Sequence, residues 1–224
     1  MTPPGGSAPP ALVLASGSPR RRQILAQLGL AFESIAAPEG VETPWDGSEE
    51  PTSFATRLAR RKAAVVSESR PDALVVAADT IVVLDGKVLE KPANEADARR
   101  MLARLAGREH VVHTGAAIEA PGADSDRVVV AGLESTAVRF RPLEADEIER
   151  YVATGEPLDK AGAYGIQGFG AALVESVRGC YFNVMGFPVT RILALLAETG
   201  WRYEFPGRLA AREAPTSSGP ARGT

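Results

Sequence analysis

The run Leu74-Val75-Val76-Ala77-Ala78-Asp79-Thr80-Ile81-Val82-Val83-Leu84 constrains this chain most. It is apolar and rich in β-branched residues, and so reads as a strand. Asp85-Gly86 follows it, a strong hairpin turn, and Val88-Leu89-Glu90-Lys91 reads as a short return strand stopped by Pro92. One residue is out of place. An ionised carboxylate inside an apolar strand is costly unless it is paired or binds a metal. Asp79 is therefore a candidate functional acid, the alternative being a structural Asp satisfied by backbone donors. Pairing around Asp85-Gly86 predicts that Asp79 lies near Lys91 or Pro92 on the return strand. A carboxylate and an ammonium sharing a cleft suit metal-assisted attack of water on a phosphoryl group.

The rest of the chain predicts a mixed α/β fold rather than a regular βαβ series. Ala11–Ala15 reads as a buried strand. Ser18-Pro19 supplies an N-cap and an N1 proline for a helix that ends before Gly29. Pro51 to Ser67 fits a second helix, with Phe54, Leu58, Val65 and Val66 at roughly helical spacing. Further helices are expected from Asn94 to Leu105, Glu144 to Ala153 and Pro188 to Glu198. Strands are expected at His110–Glu119, Val128–Phe140 and Ala171–Val177, with a Pro-Gly-Ala-Asp loop after the first and a Gly-rich loop over 159–170. Residues 1–10 and 206–224 read as disordered ends, rich in Pro, Gly, Ser and Arg, around one ordered domain over 11–205.

Several classes drop out. The net charge of −3 gives no electrostatic footprint for nucleic acid. The single cysteine, Cys180, rules out an intramolecular disulfide and a Cys-rich zinc site. His110 and His113 lie on one expected strand and make no helical metal-ligand pair. No stretch approaches the roughly 18 apolar residues of a membrane span. Met1–Pro10 has neither the basic residue nor the apolar run of a signal peptide, so a cytoplasmic protein is expected.

Two more constellations suggest chemistry. Ser16-Gly17-Ser18-Pro19-Arg20-Arg21-Arg22 lies at a strand-to-helix junction, where free N–H groups favour phosphate. Arginines are unfavourable at a helix N-terminus on dipole grounds, so three together hint at an anion. The alternative is a capped helix with a solvated basic first turn. Asp159-Lys160-Ala161-Gly162-Ala163-Tyr164-Gly165-Ile166-Gln167-Gly168 lets backbone approach a ligand closely, and Gln167 can both donate and accept, as reading a base edge requires. A surface loop is the alternative there. Glu42, Lys62 and Glu90 are single charges that read as solvated when taken alone.

Six short segments in this order resemble the Maf (septum-formation) nucleotide pyrophosphatases. They are Leu-Ala-Ser-Gly-Ser-Pro-Arg-Arg at 14–21, Leu-Ala-Arg-Arg-Lys-Ala at 58–63, Ala-Asp-Thr-Ile-Val at 78–82, Leu-Glu-Lys-Pro at 89–92, the Asp-Lys-Ala-Gly segment at 159–168, and Val-Met-Gly-Phe-Pro-Val at 184–189. The resemblance implies an elongated mixed sheet flanked by helices, with two lobes around a cleft, similar to inosine-triphosphate pyrophosphatases. It implies hydrolysis of a nucleoside triphosphate to the monophosphate and pyrophosphate with Mg²⁺ or Mn²⁺, and a homodimer. By resemblance Asp79 is the proton acceptor and, with Glu42, a metal ligand; Glu42 takes the second place of an acidic pair that here reads Val41-Glu42. Ser16, Ser18, Arg20, Arg21, Lys62 and Lys91 would hold the phosphates. Arg20, Thr80 and Gln167 match the branch selective for dTTP and UTP rather than 7-methyl-GTP. The competing readings are a purine or modified-nucleotide pyrophosphatase, a non-enzymatic partner in cell division, and a sequence-independent nucleic-acid binder using Arg20 to Arg22.

Overall fold

A computed structural model describes residues 8–122 and 126–212. The expected disordered segments over 1–7 and 213–224, and the Ala123–Ser125 part of the expected loop, lie outside them. The central sheet has seven strands in the order β2-β1-β3-β5-β6-β7, with β4 paired to β3. Strand β1 (Leu12–Leu14) lies parallel to both β2 (Glu33–Ser34) and β3 (Leu74–Leu84). From β3 onward every pairing is antiparallel, through β4 (Lys87–Leu89), β5 (Glu109–Pro121), β6 (Arg127–Phe140) and β7 (Val174–Arg178). The sheet is mixed, as expected. Asp85 and Gly86 both have positive φ, 52° and 72°, the backbone that a two-residue type I′ turn demands.

Helices cover both faces. Alternate β3 residues point to opposite sides because the strand period is two. Val75 and Ala77 pack with Ala59, Ala63 and Val66 of α2 (Pro51–Glu68). Leu74, Val76 and Ala78 pack on the other face against α1 (Pro19–Gln27) and α6 (Val189–Glu198). Farther along, Val82 and Leu84 join the core under α3 (Glu95–Leu105) and α4 (Ala145–Val152). One strand therefore carries two lobes. Helix α2 can approach the sheet closely because Gly115 of β5 lies beneath it: a Cβ at Gly115 would sit 2.3 Å from the Ala55 carbonyl oxygen.

Three expectations are corrected. The expected tail beginning at residue 206 contains a strand: β8 (Trp201–Glu204) pairs with β9 (Arg208–Ala211), and Trp201 and Leu209 bury their side chains in the α1/α6 core. Residues 168–173 form 3₁₀ turns, so β7 begins at Val174 rather than Ala171. The cause is Glu156, whose carboxylate accepts the N–H groups of Phe169 and Gly170 and curls the segment around itself. The hairpin ladder closes at Val82–Leu89, so Asp79 has no partner on β4. The short helix α5 (Tyr181–Val184) follows β7. Among the described residues no helix is long and apolar enough to cross a membrane.

Candidate active site

The site is a gap in the sheet. Strand β5 accompanies β3 along one edge from Val75 to Val83. On the other edge β1 pairs only as far as Val76, and β4 begins only at Val82. Between them Ala77–Ile81 has no strand alongside, and a cleft of about 1020 Å³ opens there. It is lined by Ser16, Ser18, Arg20 and Arg21 from the β1–α1 junction, and by Glu42 from the β2–α2 loop. Lys62 of α2, Asp79 and Thr80 of β3, Lys91 after β4, and Gln167 complete the set expected from the sequence.

Asp79 and Thr80 are sequence neighbours, and strand periodicity sends them to opposite faces. Asp79 points with Val75 and Ala77 toward α2. Phe54, Leu58, Lys62 and Val66 recur every fourth residue and form the inward stripe of that helix, so Lys62 enters the apolar interface from above. Lys62 is 5% exposed and Asp79 8%. The Lys62 ammonium donates to Asp79 Oδ1 and lies 2.5 Å from Glu42 Oε1. Lys91 stands 3.7 Å from Glu42 Oε2. The expected Asp79–Lys91 proximity is thus replaced by a chain in which Lys62 holds Asp79 and Glu42, and Lys91 approaches Glu42. Burial works against ionising Glu42, but the hydrogen bond from Lys62 and the charges of Lys62, Lys91 and Arg21 outweigh it and lower its pKa. Asp79 Oδ2 has no hydrogen bond among the described residues and is left for a ligand or water.

Thr80 points the other way, toward the arginine turn. Arg21 donates through Nε to the Gly186 carbonyl (2.8 Å), through Nη1 to Ser16 Oγ (3.2 Å) and through Nη2 to Thr80 Oγ1 (3.2 Å). It ties the β1–α1 turn, β3 and the loop before α6 together at the wall of the cleft. Burial lowers its pKa, with the Asp79 charge opposing that effect. Ser18 occupies the N-cap of α1 but makes no side-chain cap; its own N–H is taken by Ser16 Oγ at 3.2 Å. Ser18 Oγ, Arg20 and the Gln167 amide carry no side-chain hydrogen bond among the described residues, so all three remain available to a ligand.

Sequence reasoning missed the supports. Glu156 Oε1 also accepts from the Tyr151 hydroxyl at 2.9 Å, and this knot fixes the segment bearing Gln167. His110, 2% exposed, shares a 2.8 Å hydrogen bond with the Tyr164 hydroxyl beneath the cleft. Burial pushes the His110 pKa down to about 4. His113, three residues on, faces away and meets Ser135. Thr114 and Gly186 flank Thr80, and Thr114 in turn donates to the Asn183 carbonyl. The one available signal was the four-residue spacing that puts Lys62 in the apolar stripe of α2. The others depend on long-range pairing that no local pattern encodes.

Known proteins resemble this chain over nearly all of the described body. A dTTP/UTP pyrophosphatase of Symbiobacterium thermophilum is 50% identical over 190 residues, covering 85% of this chain and 94% of that one. A dTTP/UTP pyrophosphatase of Halalkalibacterium halodurans is 44% identical over 194 residues, covering 87% and 98%. Among solved structures, the Ham1 protein of Staphylococcus aureus matches with a TM-score of 0.42 at 16% identity, over 73% of this chain and 79% of that one. The model of the Maf-like proteins matches residues 11–199, and the chain belongs to that family.

Proposed function

We propose that this chain is a nucleoside triphosphate pyrophosphatase that hydrolyses dTTP and UTP to the monophosphate and pyrophosphate. The observation that carries the reading is the buried Asp79, held by Lys62 at one oxygen and open at the other, in a cleft that also presents Arg20, Lys91 and the uncapped Ser18. The dTTP/UTP pyrophosphatases at 44–50% identity support the substrate class.

In this mechanism Ser18, Arg20 and Lys91 hold the triphosphate, whose charge is otherwise costly to bring into a cleft. Water attacks the α-phosphorus in line with the bridging oxygen to the β-phosphate. The new bond is water oxygen to phosphorus; the broken bond is phosphorus to the bridging oxygen, which departs with pyrophosphate. Asp79 takes the water proton at Oδ2. Lys62 fixes the carboxylate so that this oxygen faces the cleft. Gln167 and Thr80 contact the base.

The donor set suits Mg²⁺ or Mn²⁺. Glu42 and Asp79 are hard oxygen ligands on one wall of the cleft, both held by the Lys62 ammonium, and magnesium sites use one or two carboxylates with substrate phosphates and water. Among the described residues no cluster of three His, Cys, Asp or Glu could hold an ion. A metal held there would neutralise phosphate charge during the displacement. The reading places the enzyme in the cytoplasm, acting on the nucleotide pool.

The test is pyrophosphate release from dTTP, UTP, CTP and 7-methyl-GTP with each metal. Turnover of dTTP and UTP is expected, and Asp79→Asn should fold and lose it. Absence of turnover with dTTP and UTP, or an Asp79→Asn enzyme near wild-type rate, overturns the reading.

A further inference from the structure

The loop that carries Glu42 is held at its two ends. Ile35 donates its N–H to the Leu14 carbonyl at 3.0 Å, and Trp45 donates its N–H to Glu90 Oε1 at 2.7 Å. Between them, among the described residues, the main chain of 36–44 makes one hydrogen bond, from the Val41 N–H to the Pro38 carbonyl within the loop itself. Val41 is also its one buried residue. Segments with so few buried contacts and paired backbone groups open at little cost in free energy. The Trp45 end is a clasp. The indole N–H donates to the Glu49 carbonyl at 3.0 Å, and the ring packs beside the core of Phe54, Leu58 and Ile81. That fixes the side chain of Trp45. The direction in which the chain leaves Trp45 toward Glu42 is set by the peptide N–H, and the Glu90 carboxylate takes it. Glu90 is itself anchored, since its carbonyl accepts the Gly162 N–H at 3.1 Å. Its neighbour Lys91 reaches the same loop, 3.7 Å from Glu42 Oε2.

We propose that Glu90 is a positioning residue for the reaction: its carboxylate latches the 36–44 loop through the Trp45 N–H and so keeps Glu42 beside Lys62. Taken alone, Glu90 reads as a solvated charge, and it is exposed. Its oxygen nonetheless makes a charge-assisted bond to a backbone donor, a strong type of hydrogen bond. Glu42 is where the loop meets the chemistry. The Lys62 ammonium is shared between Glu42 and Asp79, and Glu42 is one of the two carboxylates offered to the divalent ion. An unlatched loop holds Glu42 in place for only a fraction of the time, and the apparent affinity for the ion falls by that fraction. Saturating ion draws the loop back, so the loss appears in the ion dependence and not in the maximal rate. The inference deepens the pyrophosphatase reading and rests on it.

The test compares wild type, Glu90→Ala and Glu90→Gln. Alanine removes the acceptor and leaves the main-chain carbonyl for Gly162; glutamine keeps an acceptor oxygen at the same reach. Losing one charge-assisted bond should raise the open population of the loop about tenfold. In the metal-free, nucleotide-free protein, a glutamate-specific protease should then cut after Glu39 or Glu42 about tenfold faster in Glu90→Ala, because cleavage follows the open population. In the pyrophosphate assay with UTP, the half-activating Mg²⁺ concentration should rise about tenfold, while kcat at saturating Mg²⁺ stays within about twofold. Glu90→Gln should bring both readouts to within about threefold of wild type. Loop cleavage at the wild-type rate in Glu90→Ala overturns the latch. Faster cleavage with an unmoved Mg²⁺ dependence overturns the positioning role, and so does a glutamine enzyme no better than the alanine one. A wild-type enzyme inactive on both UTP and dTTP refutes the function and the positioning role with it, whereas an active wild type whose Mg²⁺ dependence Glu90→Ala leaves unmoved refutes only the positioning role.

Discussion

Lys62→Met should cost stability and activity together, and the stability loss should be recoverable without the activity. The Lys62 and Asp79 side chains are 6% and 11% exposed, so solvent screens their contact little. Removing one partner of a buried ion pair leaves an uncompensated charge and typically costs ~3–5 kcal/mol. Asp79 Oδ2 borders the cleft, so water relieves part of that penalty, and the lower end, about 3 kcal/mol, is expected. For a domain of this size each kcal/mol lowers Tm by about 2–4 °C, giving a drop of roughly 6–12 °C. Replacing both partners, in Lys62→Met with Asp79→Leu, removes the buried charge altogether. That double variant should melt well above the single one, because an apolar pair of similar volume often matches or exceeds a buried ion pair. Neither should release pyrophosphate. Thermal melts and urea titrations at pH 7 measure the stabilities. A single variant within about 1 kcal/mol of wild type, or a double variant no more stable than the single, would refute the claim that Lys62 compensates Asp79.

Two further outcomes follow from the buried groups. His110 titrates near 4 when folded and near 6.5 when unfolded. The unfolded chain therefore takes up the proton first, and stability should fall as pH drops from 6.5 toward 4, by about 3 kcal/mol, and stay flat above 6.5 as far as this group is concerned. Urea unfolding at pH 7 and 4.5 should show a smaller acid loss in His110→Gln; parallel losses would exclude a buried neutral imidazole. Gly115→Ala must push α2 away, since its Cβ would lie 2.3 Å from the Ala55 carbonyl oxygen. A loss of about 1–3 kcal/mol is expected, with kcat falling because α2 carries Lys62; unchanged melting and turnover would count against the close packing.

Much of this was legible locally. Asp79 stood out as an acid in an apolar strand, and Asp85-Gly86 gave the right turn. Extending the hairpin to Lys91 misled, because β4 stops at Leu89 and the Glu90 carbonyl instead accepts the Gly162 N–H. The true partner was present in the Phe54, Leu58, Lys62, Val66 spacing, but a lysine in an apolar stripe is easily taken for a solvated charge. The β8–β9 hairpin was masked by the Phe-Pro-Gly turn between its strands and by the Arg-rich residues after it. The Thr80 surroundings were not readable at all. They need the register of β5 on β3 and the arrival of Asn183 from far along the chain, both set by tertiary packing.

The unbroken β3 acts as a ruler. From Val76, where β1 lets go, to Val82, where β4 takes over, the strand advances six residues, roughly 20 Å at strand rise. The length of the cleft is therefore counted in residues, and its two walls are assigned by parity. One residue inserted in that stretch would swap the acid and the hydroxyl between the faces of the sheet. Two would keep each on its own side but stretch the opening by about 7 Å. In this stretch, substitution is the change that can retune the pocket without disturbing either its length or its parity.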